Sequence, residues 1–257
     1  MTSQLSPSSN SPKRPRVGRN RLSYLATTSL AAIAVGIGMA TGQRLVVGLA
    51  VAMIFAAICW GWPGLTGLPN RGVSRAAMAV IGFAALLCAA FGSSAHLAYV
   101  AAFGVPVVYI GEMLRRDGRT RLLIQVAGTY AGGLLGIGSA LWLLVTEEPG
   151  GFDLGLSWMA GMVLAGIASA FVRGPFIMLA VPVAAALGSG AVAWAATDLP
   201  WWPAVAFAVI LGVLAWGLEQ MTPAVLSQLE RSSRVSFALI PFSAMGVVGY
   251  AVALLLF

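Results

Sequence analysis

Residues Leu122–Val145 read LLIQVAGTYAGGLLGIGSALWLLV, an apolar run without one charged residue. A helix needs about 20 such residues to cross the hydrocarbon of a bilayer. No water is present there to satisfy backbone groups, so helix is the natural form of the run. Its flanks give it a direction. Before it lies Arg115-Arg116-Asp117-Gly118-Arg119-Thr120-Arg121, and after it come Glu147, Glu148 and Asp153. Lys and Arg are held on the cytoplasmic side of membrane proteins. The run therefore reads as a span that leaves the cytoplasm after Arg121 and emerges before Glu147.

Working outward, eight more apolar runs are long enough to cross. Tyr24–Met39, Leu45–Trp62, Ala76–Gly92 and His96–Met113 precede it; Leu156–Val172, Phe176–Ala196, Trp202–Leu218 and Val235–Phe257 follow. With the N-terminus in the cytoplasm, Arg44 alone of the 15 Lys and Arg residues falls outside. Moving the span count by one in mid-chain destroys that bias. Trp201 and Trp202 then sit at an outer boundary, as interfacial anchors do. Composition agrees: 59% of the 257 residues are apolar and 9% are charged, where a soluble domain carries roughly 25% charged residues. The expected fold is an all-α polytopic transmembrane bundle over residues 22–257, with about nine spans and a cytoplasmic N-terminus.

Residues 1–21 differ in kind. They are rich in Ser, Pro and Asn and carry Lys13, Arg14, Arg16, Arg19 and Arg21, which reads as a disordered basic tail. The basic run serves as a topology signal; the alternative is a patch for anionic headgroups. Gly38-Met39-Ala40 resembles a signal-peptide cleavage site, but a second apolar run follows within a few residues, so a retained first span is expected. The net charge of +7 would point to nucleic acid in a soluble protein. Here it sets orientation, and no nucleic-acid partner is expected. Glycine and alanine richness, with arginine preferred to lysine, fits a bacterial cell (inner) membrane.

Gly128, Gly132 and Gly136 recur every fourth position, with Gly133 and Gly138 beside them. Such a small-residue face lets a second helix approach closely. That helix belongs either to the same chain or to a partner or second copy. Pro106, Pro182 and Pro241 fall inside spans and kink them. Cys59 and Cys88 lie in apolar runs, where free thiols behave as small hydrophobes.

The inventory for chemistry is short. His96 is the one histidine and Lys13 the one lysine. A multi-histidine metal site, a Walker loop and a membrane-embedded Schiff-base lysine are thereby excluded, and no catalytic residue, metal or cofactor is assigned. His96 stands at the outer end of a run without a nucleophile motif nearby and reads as interfacial. Ionisable residues inside a membrane are costly and mark function by default. Glu112 and Glu219 are the two best, each late in an inward-running span, and they read either as a ligand site or as carboxylates answering local arginines. Arg173, in the turn Arg173-Gly174-Pro175, and Arg115 and Arg116 after Glu112 could grip phosphate, or could simply orient their loops.

The order of features resembles the phosphatidate cytidylyltransferase family, multi-span enzymes that make CDP-diacylglycerol from CTP and phosphatidic acid with divalent cations. The ending Ala56-Ala57-Ile58-Cys59-Trp60-Gly61-Trp62, then Gly64-Leu65-Thr66-Gly67, is similar to that family's second-helix ending. Leu229-Glu230-Arg231 before a last span with Pro241 is similar to its Leu-Asp-Arg. The sixth-span Asp of the family's Trp-Gly-x-Asp motif falls, however, on Ile167. The Ser-Pro-x-Lys loop shrinks to Arg173-Gly174-Pro175. The family's Gly-Asp becomes Gly217-Leu218, with Glu219 one place on, and the loop carrying Lys-Asp and His-Gly-Gly is missing. Two cations on a triphosphate need several oxygen ligands, so the resemblance implies a relative that has lost catalysis.

The resulting expectation is a non-catalytic, multi-pass protein that binds or transports a lipid or small solute. Glu112, Glu219, Arg173, Arg115 and Arg116 would face an inner-leaflet cavity. The alternatives are a lipid-nucleotide transferase with an unusual metal site and a structural subunit packed against a partner through Gly128, Gly132 and Gly136.

Overall fold

The computed structural model describes the backbone of residues 17–114, 121–172, 176–196, 200–226 and 229–256. Side chains are described within these ranges except at 17–25, 170, 177–178, 196, 215 and 218–226. Among the described residues there are nine helices and no strand. In chain order they are α1 (Val17–Ala40), α2 (Arg44–Leu65), α3 (Arg71–Phe91), α4 (Ser94–Met113), α5 (Leu122–Val145), α6 (Gly151–Phe171), α7 (Ile177–Ala196), α8 (Trp202–Leu226) and α9 (Arg231–Leu256).

Six of them, α2 to α6 and α9, are long and apolar enough to cross a membrane. In α1, α7 and α8 the apolar stretches with described side chains are Ala26–Ala40, Leu179–Ala195 and Trp202–Leu214. The outside of the bundle is apolar as well, with Met53, Phe83, Phe103, Leu179, Leu187 and Val209 exposed. A water-soluble monomer rarely shows apolar surface on this scale. These are the marks of a membrane protein.

Each helix coincides with one apolar run, but several begin or end in polar sequence. The start of α3 at Arg71 is fixed by Asn70, whose side chain accepts a hydrogen bond from the Val73 amide at 3.1 Å, as an N-cap should. In α4, His96 turns back and its Nδ1 accepts from the Ser93 amide at 3.1 Å. The lone histidine is thus a capping residue. The α2–α3 turn passes through Gly67 at φ +64°, a left-handed conformation that glycine adopts without cost. At the start of α6, a Cβ on Gly151 would fall 1.7 Å from the Val145 carbonyl oxygen, so the tight α5–α6 turn requires glycine. The first turn of α1 takes in Val17–Arg21, which sequence assigned to the tail. Residues 1–16 lie outside the described residues.

α5 is the hub: it packs against α2, α3, α4 and α9. Its glycine face is filled from within the chain. A Cβ at Gly128 would meet Leu68, at Gly132 Met78 and Trp62, and at Gly136 Phe55 and Gly82. Within this chain these three glycines face α2, α3 and the turn between them. Between α5 and α9 the backbones touch, since a Cβ on Gly138 would lie 2.6 Å from the Ser243 carbonyl oxygen.

A chain of buried rings closes the other side. Trp142 on α5 meets Trp158 on α6 edge-on at 6.2 Å and Phe242 on α9 at 5.7 Å, and Trp158 meets Phe207 on α8 at 4.6 Å. Such pairs contribute about 0.5–1.5 kcal/mol each beyond area burial. The Trp142 indole N–H donates to the Phe242 carbonyl at 3.0 Å. Cys59 and Cys88 are both free thiols.

Candidate functional site at the arginine-rich end

Chain direction sorts the polar residues into two ends. At one end α2 and α4 finish and α3, α5 and α9 begin; it carries Arg71, Arg75, Arg121, Arg231 and Arg234. A network is buried just inside this end. The Gln125 side chain accepts from the Asn70 amide at 3.1 Å and donates to the Asn70 carbonyl at 2.9 Å and to the Ser74 hydroxyl at 2.5 Å. Ser74 in turn shares a hydrogen bond of 2.8 Å with Thr129. Gln125, Ser74 and Thr129 are all buried. Both amide hydrogens of Gln125 and its oxygen are engaged, so this network locks α3 to α5 and offers little to a ligand.

Around it, side chains tie helices to backbone carbonyls of their neighbours. The Trp62 indole donates to the Gly128 carbonyl at 2.7 Å. Ser233 donates to the Gly61 carbonyl and Ser236 to the Ile58 carbonyl, each at 3.2 Å. Nearer the surface, Arg71 pairs with Glu230 at 3.0 Å. Arg75 lies 4.4 Å over the Trp60 ring and donates to the Trp60 carbonyl at 2.9 Å.

Glu112 stands apart from these. Its face of α4, Gly104, Val108 and Glu112, turns one residue per helical turn into the bundle. Val108 packs with Ala77, Ile81 and Val126, and a Cβ on Gly104 would meet Tyr130 and Ile81. One turn further along this seam Glu112 is wholly buried, with no exposed surface. It is the one buried Asp or Glu among the described residues. A carboxyl removed from water must be compensated or neutralised, and inside a membrane span that points to function.

Of the five residues singled out in the sequence, Glu112 alone has a described side chain. Arg115, Arg116 and Arg173 lie outside the described residues; Glu219 is on the helical backbone of α8, with its side chain outside them. α4 packs on α3 and α5, whereas α8 packs on α7, α9 and α6. Glu112 and Glu219, read in the sequence as facing one cavity, therefore lie on helices with different neighbours. Asn70, Ser74, Gln125 and Thr129 were not singled out. Their signal was the i, i+4 spacing of polar pairs, which puts Gln125 and Thr129 on one face of α5 and Ser74 one turn after the cap Asn70.

Among the described residues, no three His, Cys, Asp or Glu side chains gather as a metal ion would require. No protein-family model, curated protein or solved structure matches this chain.

Proposed function

We propose that this chain is a non-catalytic, nine-span protein of a bacterial inner membrane, with its N-terminus in the cytoplasm, and that it binds or transports a lipid or small solute at Glu112. The observation that carries the reading is the complete burial of Glu112 in an apolar helix. A buried carboxylate suits the cationic group of a ligand, and the basic loop Arg115–Arg121 that follows it in sequence suits an accompanying phosphate. The topology is supported by the arginine-rich end, which becomes the cytoplasmic one under the positive-inside rule.

The test is melting of the purified protein in mild detergent against phosphatidic acid, phosphatidylethanolamine, phosphatidylglycerol and a panel of cationic solutes. One ligand class should raise the melting temperature of the wild type, and Glu112→Gln should weaken that effect by about tenfold in concentration, one decade of affinity. Equal responses in the two proteins would remove Glu112 from the site.

A further inference from the structure

At the opposite end of the bundle, α2 begins and α3 finishes side by side. Leu45 and Leu49 on α2, and Phe83, Leu87 and Phe91 on α3, project outward as two exposed ridges. Between the ridges, Gly48, Ala52 and Ala90 carry too little side chain to fill the space, and Leu143 of α5 lies behind them. A groove of about 400 Å³ results, lined by apolar side chains throughout except for Arg44 at its end. A Cβ on Gly48 would stand 3.7 Å from both Leu143 methyl carbons, so glycine there keeps the floor low while a small side chain is tolerated.

The mouth of the groove is charged in a particular way. Arg44 pairs with Glu147 at the end of α5, and the two side chains are 36% and 35% exposed. Nη2 of Arg44 also donates to the Ala89 carbonyl in the last turn of α3, where the negative end of the helix dipole welcomes a cation. Both contacts use Nη2, which leaves Nη1 for another acceptor. Among the described residues Arg44 is the one Lys or Arg at this end, and Glu148 follows Glu147 directly in the chain. A headgroup with net negative charge and no cation would meet a guanidinium already paired with Glu147 and would leave that carboxylate without a new partner. A headgroup carrying both a phosphate and an ammonium group meets a partner for each.

The geometry points to a bound phospholipid with an amine-bearing zwitterionic headgroup, of the phosphatidylethanolamine kind: an acyl chain in the α2–α3 groove, the phosphate on Arg44 and the ammonium on Glu147. The inference rests on the chain crossing a membrane, but not on the Glu112 site at the other end. A choline headgroup has no N–H to donate to Glu147 and fits less well.

The test reconstitutes the full chain in nanodiscs of equal parts phosphatidylethanolamine and phosphatidylglycerol, then extracts it gently and identifies retained lipid by mass spectrometry. Phosphatidylethanolamine should be enriched about tenfold, one decade in relative affinity. Gly48→Leu, which fills the groove, should abolish retention. Glu147→Gln keeps the guanidinium but loses the ammonium partner, and should shift retention toward phosphatidylglycerol. Retained lipid of the same composition as the nanodisc, or enrichment unchanged in Gly48→Leu and Glu147→Gln, would overturn the proposal. Release of the chain from membranes by alkaline carbonate would instead overturn the membrane reading beneath it.

Discussion

Ser139 on α5 and Ser243 on α9 share a hydrogen bond of 2.7 Å, directly beside the point where Gly138 meets the Ser243 carbonyl. The two facts are one device. Apolar burial does little to hold helices together in a bilayer, so close backbone approach and side-chain hydrogen bonds take over. Glycine permits the approach, and the approach brings the hydroxyls within reach. Gly138→Leu should therefore cost more than Ser139→Ala. Overpacking costs about 1–3 kcal/mol, whereas a single interhelical hydrogen bond in a membrane is worth about 0.6 kcal/mol on average. Melting of the two variants in one detergent gives the order.

Gln125 should be less replaceable than its place in an apolar run implies. Gln125→Leu leaves the Asn70 backbone and the Ser74 hydroxyl to find other partners at a buried site. Stranding such groups costs about 1–3 kcal/mol. Adding Ser74→Ala should then cost less than it does in the wild type, because the hydroxyl has already lost the hydrogen bond it accepts from Gln125. A double-mutant cycle of melting temperatures measures that coupling.

Arg71→Ala should do little by comparison. The Arg71–Glu230 pair is well formed but exposed, with side-chain exposures of 46% and 62%, and exposed ion pairs contribute about 0–1 kcal/mol. A melting change larger than that of Gln125→Leu would show that this end is held by charge and not by its buried network.

All nine helices were legible in the sequence, because apolar runs of spanning length leave few alternatives. Their ends were less so. α3 starts at Arg71 because Asn70 caps it, and α6 starts at Gly151 because the turn after α5 is so tight. Apolar content reports neither cause. The glycine face of α5 was visible, but its occupants, Leu68, Met78, Trp62 and Phe55, come from segments 50 or more residues away and follow only from packing. In the site, Glu112 was found because a carboxyl in an apolar run is conspicuous. The Asn70–Gln125–Ser74–Thr129 network was passed over because uncharged polar residues are common in such runs, and only the partner shows which of them are buried together. The pairing of Arg44 with Glu147 joins the start of α2 to the turn after α5, far apart in sequence, and left no local signal.

Topology gives a further prediction. In a background with Cys59 and Cys88 replaced by alanine, Glu148→Cys should react with a membrane-impermeant maleimide in intact cells, and Arg71→Cys only after the cells are opened. The reverse pattern would place the arginine-rich end outside and contradict the proposed orientation.

The transferase alternative is also open to test. Purified protein given CTP, phosphatidic acid and magnesium should release no pyrophosphate above the level of a heat-inactivated control. Turnover lost in Glu219→Gln would restore the enzyme reading.

The most direct measurement of the central claim is native mass spectrometry of the chain released from its own membranes, wild type beside Glu112→Gln. A small molecule or lipid that stays bound to the wild type and is missing from a folded Glu112→Gln protein is the predicted result. The same adduct at the same occupancy on both would contradict a ligand site at Glu112.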